Sequence, residues 1–270
     1  MAGLRPDRTW GSMRLPSTAL ALLVVLPARA WAPERHWYAG VHLFDPTLGG
    51  HFQGIADGNP FRVDLGRDLA LGRDRTQLGA GLEYQGPRFG VELAWDQQRY
   101  AGRNVLGQDV LINGQLFKSG SVVTSTLQAT NATCDWTVRA VTGDGFWLGL
   151  DLGLRATTLK VDAKGVLAIP GTAVEARYRT TLPVPQAGPS LGITALDGRL
   201  EGRGQVHLLT WRGATYNHLA FDLRYYPRPW LGVEVFADSE RFRVPEGTLD
   251  RGLDLTLDRT GTGFGIVARF

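Results

Sequence analysis

The last ten residues constrain the fold more than any other stretch. Gly261-Thr262-Gly263-Phe264-Gly265-Ile266-Val267-Ala268-Arg269-Phe270 alternates with a period of two. Phe264, Ile266, Ala268 and Phe270 lie on one face, and Gly263, Gly265, Val267 and Arg269 on the other. A segment of about ten residues with an apolar face and a small or charged face is the length and pattern of a strand that crosses a lipid bilayer.

The same alternation recurs upstream. Its outward positions are Trp37, Ala39, Val41 and Leu43; Leu78, Ala80, Leu82 and Tyr84; Phe89, Val91, Leu93 and Trp95; and Ala132, Cys134, Trp136 and Val138. They continue through Phe146 to Leu154 at even numbers, then Ala187, Leu191, Ile193 and Ala195. Leu219, Phe221, Leu223 and Tyr225 follow, then Leu231, Val233, Val235 and Ala237. Pro189 weakens the sixth segment, because proline donates nothing to a ladder. The segment from Leu200 to Trp211 has the faintest pattern, with Gly202, Gly204, Val206 and Leu208 on one face. Short turns follow the second, fourth, sixth and eighth segments, including Gln85-Gly86-Pro87-Arg88 and Leu196-Asp197-Gly198-Arg199. Longer connections of roughly fifteen to thirty residues follow the first, third, fifth and ninth, including residues 45–75, 101–120 and 161–184. The expected fold is all-β: a closed, up-and-down antiparallel transmembrane barrel of ten strands, or eight if the sixth and seventh segments do not span.

Periodicity alone does not separate this from a lipocalin-like barrel or a β-sandwich, in which the apolar face points inward. Three features favour the membrane: the charged face is also the glycine-rich face, the apolar face ends in aromatics, and the chain carries an export signal. Arg5, Arg8 and Arg14 precede the apolar run 19–26, and Ala28-Arg29-Ala30 and Ala30-Trp31-Ala32 are small-residue cleavage patterns. Residues 1–32 read as a signal peptide, cleaved after Ala30 or Ala32, and residues 33–270 as the barrel. The formal charge of +3 lies wholly in the signal, which holds four Arg and one Asp. The mature chain is near neutral, and no basic patch argues for nucleic acid. A mean hydropathy of -0.11 argues against a helical membrane protein. The single cysteine, Cys134, allows no internal disulfide.

The inward register collects Glu83, Glu92, Asp96, Asp135, Asp151, Asp222, Glu234 and Asp238 against Arg139, Arg155, Arg224 and Arg269. Charges crowded into a narrow barrel are expected to pair across it and fix strand register. A polar pore that selects solutes is the functional alternative. Catalysis would need a nucleophile or activated water beside a His and a carboxylate. His36, His42, His51, His207 and His218 are the only histidines, and no serine is spaced with His51, Asp45 and Asp57 in the first outer loop. No metal-ligand spacing and no phosphate loop is present, so no cofactor is expected. The stretch 62–71 is unusually apolar for a surface loop, and is expected either to fold back over the barrel mouth or to extend a strand above the bilayer.

Several segments also resemble a known group. Trp37-Tyr38-Ala39-Gly40, Val63 to Leu71, Leu150-Asp151-Leu152-Gly153-Leu154, Tyr225-Tyr226, Leu231-Gly232 and the Phe270 end are similar to small bacterial outer-membrane barrels, specifically the OmpW-related W/Gly-Gly variant. The resemblance implies an outer-membrane location in a Gram-negative-type bacterium and contact with outer-membrane lipid and lipopolysaccharide. It also implies hand-over to the barrel-assembly machinery through Phe270. OmpW is implicated in passage of small hydrophobic compounds, but this chain shows ten strands where OmpW has eight. The function expected is a monomeric barrel with a structural or narrow small-solute role; the alternative is a membrane-embedded hydrolase or lipid-modifying enzyme.

Overall fold

A computed structural model describes residues 36–56, 59–71, 74–112, 115–166, 173–211, 213–245 and 253–270. The signal peptide read in residues 1–32, and Asp57, lie outside the described residues. The described elements are thirteen strands: β1 (His36–Ala56), β2 (Asn59–Asp64), β3 (Asp74–Gln85), β4 (Phe89–Val105), β5 (Val110–Ile112), β6 (Gln115–Phe117), β7 (Val122–Gly143), β8 (Phe146–Val166), β9 (Ala173–Ala195), β10 (Leu200–Trp211), β11 (Ala214–Arg228), β12 (Leu231–Val244) and β13 (Leu253–Arg269). Ten of them form the wall, in the order β1-β3-β4-β7-β8-β9-β10-β11-β12-β13, and β13 pairs back onto β1 to close it. Every neighbouring pair is antiparallel. Closure pairs the first wall strand with the last, as a medium that cannot hydrogen-bond to backbone requires; the β9–β10 ladder stops short, at Gln205↔Ser190. The start of β1 meets the end of β13, with Trp37 N–H donating to the Phe270 carbonyl at 2.7 Å and Phe270 N–H to the Trp37 carbonyl at 2.9 Å.

The apolar register faces out. Leu150 is 56% exposed and Phe264 61%, and Val41, Leu82, Leu93, Trp136, Leu152, Phe221 and Val235 are exposed alongside them. In water, burying such side chains is the main driving force of folding; here the wall presents them as a belt for hydrocarbon. The four-residue connection Leu196-Asp197-Gly198-Arg199 is a tight hairpin with its first three residues at positive φ, 54°, 54° and 80°, closed by Arg199 N–H donating to the Leu196 carbonyl at 3.1 Å. The faint seventh segment is a full strand, β10.

Two expectations on the connections change. The wall strands on the outer side run far past the bilayer: β7 has 22 residues, β8 21 and β9 23, against the 9–11 that suffice to cross. Much of the supposed loops at 45–75, 101–120 and 161–184 is therefore strand. Above the belt the pattern inverts. Leu48, Tyr100, Val123, Leu127, Leu159, Ala163, Ala176, Leu182, Val244 and Leu255 point inward and are buried in one apolar cluster, while Arg99, Lys160 and Arg179 point outward. Water now lies outside the wall, so the barrel adopts the ordinary inside-apolar logic.

The stretch 62–71 completes that cluster. Val63, Leu65, Leu69 and Leu71 are essentially inaccessible and pack with Leu106, Val110 and Phe117 from the β4–β7 connection. Both expectations for this segment hold in part: β2 pairs with the upper end of β1 from His51↔Asp64 to Ala56↔Asn59, and the turn after it folds inward. Gly102 on β4 has no side chain where the Ala70 backbone carbonyl lies against it. Asn104 Nδ2 donates to the carbonyl of Arg67 at 2.6 Å.

The belt gives a direct test. Leu150→Arg should lower folding stability by about 2–4 kcal/mol, as for a cation at mid-membrane depth on a barrel's lipid face. Urea titration in lipid vesicles checks it, and an unchanged midpoint would contradict an outward Leu150.

Candidate functional site: the charged lumen

Inward side chains come from every wall strand, and space for them is made by glycine. A Cβ at Gly153 would collide with the Asp135 carboxylate, and one at Gly79 with the His42 ring. Glycine on the charged face is thus a matter of room between neighbouring long side chains.

At the end of the barrel where the termini meet, Arg269 donates from Nη1 to Glu201 Oε1 at 2.8 Å and to the Gly198 carbonyl at 2.8 Å. Its guanidinium lies 4.0 Å over the Tyr226 ring. Tyr38 hydroxyl donates to the same Glu201 oxygen at 3.2 Å. Arg139 donates to the Gly86 carbonyl at 2.6 Å and to Gln85 Oε1 at 2.8 Å, and covers Trp147 at 4.8 Å.

Higher up, Glu83 is held by two arginines, Arg203 at 3.1 Å and Arg224 at 2.7 Å. Arg203 also meets Glu92 at 2.8 Å and Asp151 at 3.7 Å. Arg224 meets Glu234 at 2.8 Å and Asp222 at 3.3 Å. Asp135 accepts from Gln186 Nε2 at 2.5 Å. A third group joins Arg259 to Asp238 at 2.6 Å and Glu240 at 2.9 Å, and Arg155 to Glu240 at 3.3 Å. Asp96 accepts from Gln98 at 2.7 Å and Asn131 at 2.8 Å.

The twelve charges named from the sequence therefore all point into the lumen. Four charges not named there, Arg203, Glu201, Arg259 and Glu240, complete the clusters, beside the direct pairs of Arg224 with Glu83, Asp222 and Glu234. Their signal was present: Glu201, Arg203, Gln205 and His207 alternate with Gly202, Gly204, Val206 and Leu208, but glycines on the lipid side hid the contrast. Between these groups lies a cavity of about 200 Å³, lined by residues that include Glu92, Asp135, Asp222, Arg203 and His42. A smaller apolar cavity of about 50 Å³ lies beyond Arg155 and Arg259, against Tyr100, Leu127, Leu182 and Phe242.

Two of the histidines lie side by side in the lumen. His207 and His218 meet through their Nδ1 atoms at 3.2 Å, and His218 Nε2 is 2.5 Å from Asp238. Ser190 is nearby, and its hydroxyl donates to Asp151 Oδ1 at 2.9 Å. His51 sits by Arg62, 3.3 Å from its Nη2. No group of three or more metal-ligating side chains is present among the described residues.

No family model and no curated protein matches the chain. Among solved structures it is similar to the outer membrane protease OmpT from Escherichia coli, at 11% identity, over 87% of this chain and 97% of that one, with a TM-score of 0.60. The fold is that of a bacterial outer-membrane β-barrel. Ail of Yersinia pestis aligns at 12% identity over 88% of this chain and all of its own, with a TM-score of 0.32. The toluene transporter TodX of P. putida aligns at 10% over 88% and 90%, with a TM-score of 0.33. At these identities the likeness concerns architecture alone, and OmpT carries it.

Removing one partner from a buried charge cluster leaves the others uncompensated, at a cost of about 3–5 kcal/mol. Arg203→Met should therefore destabilise the folded barrel by that order, while pairing it with Glu83→Gln and Glu92→Gln should recover part of the loss. Urea titrations of the single and triple variants in vesicles measure both. An unaltered single variant would mean that Arg203 holds nothing together.

Proposed function

We propose that the protein is a monomeric outer-membrane barrel whose role is structural or confined to narrow passage of small solutes, and that it rests closed. The observation carrying this reading is the filled lumen: paired charges leave about 200 Å³ of space, and the apolar turn at 65–71 packs into the mouth above it. Any solute path along the axis has to displace that turn. We include in the proposal membership of the OmpW-like group, supported by the resemblance of short segments such as Trp37-Tyr38-Ala39-Gly40, and hand-over to assembly machinery through the exposed terminal Phe270. Absence of catalysis belongs to the same proposal, supported by the Ser190 hydroxyl being turned to Asp151 and not to an imidazole.

The plug has a defined latch. Asp68 accepts from Arg67 Nε at 2.8 Å and from the Asp64 N–H at 2.9 Å, and Arg67 N–H donates to Asp64 Oδ1 at 2.7 Å. Partial burial pushes the Asp68 carboxyl up, but the hydrogen bonds from Arg67 and Asp64 outweigh it and hold it below its usual range. A depressed carboxylate contributes stability above its unfolded-state value, near pH 4, and loses it as pH falls through the folded value.

Two outcomes are expected. In planar bilayers the intact protein should conduct little, and Leu65→Asp/Leu69→Asp, which drives charge into the apolar plug, should raise conductance severalfold. Equal traces for both proteins would remove the plug from the transport path. In reconstituted vesicles, protease cleavage at Arg67 should accelerate as pH drops below about 4, and Asp68→Asn should cleave fast at every pH. A cleavage rate flat from pH 7 to 3 in the unaltered protein would contradict the latch.

A further inference from the structure

The outward face just above the apolar belt carries a row of cations whose register the strands set. Across β4, β7, β8 and β9, Trp95↔Ala132, Ala132↔Ala156 and Ala156↔Pro183 are direct partners and form the last apolar row. One outward step on, the row is Gln97, Thr130, Thr158 and Thr181. One further step gives Arg99, Gln128, Lys160 and Arg179. The sequence of each strand changes from apolar through neutral polar to cationic or amide at the same rungs.

Arg103, Lys164 and Arg177 continue the patch outward on these strands, with Asp162 and Glu175 as its acids. Lys160 lies 3.4 Å from Asp162, Lys164 3.4 Å from Glu175 and Arg177 2.7 Å from Glu175. Arg99, Arg103 and Arg179 are in no ion pair among the described residues. Lys160 and Arg179 are moreover direct cross-strand partners, an arrangement of like charges that is destabilising, and the one acid beside them, Asp162 at 3.4 Å from Lys160, is shared with Arg177 at 3.7 Å. Neighbouring strands stand about 4.8 Å apart, so Arg99, two strands from Lys160, lies within about 10 Å of it. That is the spread of one phosphorylated headgroup.

We propose that this row binds the phosphate groups of the outer-leaflet glycolipid, lipopolysaccharide, with its acyl chains on the apolar row beneath. Arginine offers a planar fork that matches phosphate oxygens, and lysine a point charge. The position fits: the cations stand one polar rung above the hydrocarbon face, at headgroup depth, on the side of the barrel opposite to the joined termini. The inference is independent of any transport role, since it concerns the outside of the wall.

The probe is bisphosphorylated lipid A, titrated against the purified, folded protein in detergent micelles, with phosphate-free lipid A and phosphatidylglycerol as comparison ligands. Arg99→Gln/Lys160→Gln/Arg179→Gln should weaken bisphosphorylated lipid A binding by about tenfold or more, since each cation near an anionic surface contributes of order one decade or less. The unaltered protein should bind phosphate-free lipid A and phosphatidylglycerol more weakly, and binding should fall with added salt. Arg241→Gln/Arg243→Gln, on β12, should stay within about twofold of the unaltered protein. Heat-modifiable gel mobility establishes that each variant is folded. Equal lipid A affinity in the folded triple variant, equal affinity for phosphate-free lipid A, or equal affinity for phosphatidylglycerol would each overturn the assignment.

Discussion

Hydrocarbon offers no partner to a peptide N–H or C=O, so every backbone group at membrane depth has to be satisfied within the wall. The rest of the molecule follows from that. It forces closure of β13 onto β1. Closure of ten strands then makes an interior too narrow for bulk water, and an interior without bulk water forces its charges into pairs. The ion-pair clusters around Glu83, Arg203 and Arg259 are thus a consequence of barrel diameter as much as of any chemistry the lumen performs.

One place in the wall departs from the rule. The β9–β10 ladder runs from Leu200↔Ala195 to Gln205↔Ser190 and ends there, although β8 stays paired to β9 as far as Val166↔Ala173. Pro183, Pro185 and Pro189 have the same parity along β9. A strand's N–H groups alternate between its two edges, so the unbroken β8 ladder places all three nitrogens on the edge that faces β10. Proline belongs on an edge where no donor is required. The doubt that Pro189 raised from sequence was therefore well placed in kind: the strand exists, and what the prolines limit is its pairing on one side.

Inside the bilayer the fold was legible, because one strong contrast, apolar out against glycine and charge in, repeats through Val41, Leu93, Leu150, Phe221 and Val235. It was less legible above the bilayer, where the contrast reverses sign partway along a continuous strand. β8 shows the change: Leu148 to Leu154 face out, Leu159 and Ala163 face in, and Lys160 and Lys164 face out. A period-two pattern that flips phase averages to noise, so residues 161–184 read as a loop. The candidate site was half legible. Single charged residues on an inward register were visible, but which arginine spans to which carboxylate depends on side chains that meet across more than a hundred residues, as Arg203 does with Glu83.

The reversal also explains why part of the first loop packs into the apolar cluster at the mouth. A lumen charged throughout would offer Leu65 and Leu69 only polar groups, and burying them there would leave carboxylates and guanidiniums without solvent or partners. Because the wall above the bilayer turns Tyr100, Leu127, Leu159 and Leu182 inward, the mouth is apolar and the turn has a matching surface. The Arg155–Glu240–Arg259 group marks the change, with the polar cavity on one side and the apolar one on the other. A solute moving along the axis therefore meets two solvents in series, and neither a strongly hydrated ion nor a hydrocarbon finds favourable surroundings in both. That layering supports the closed resting state proposed above, before any loop movement is considered.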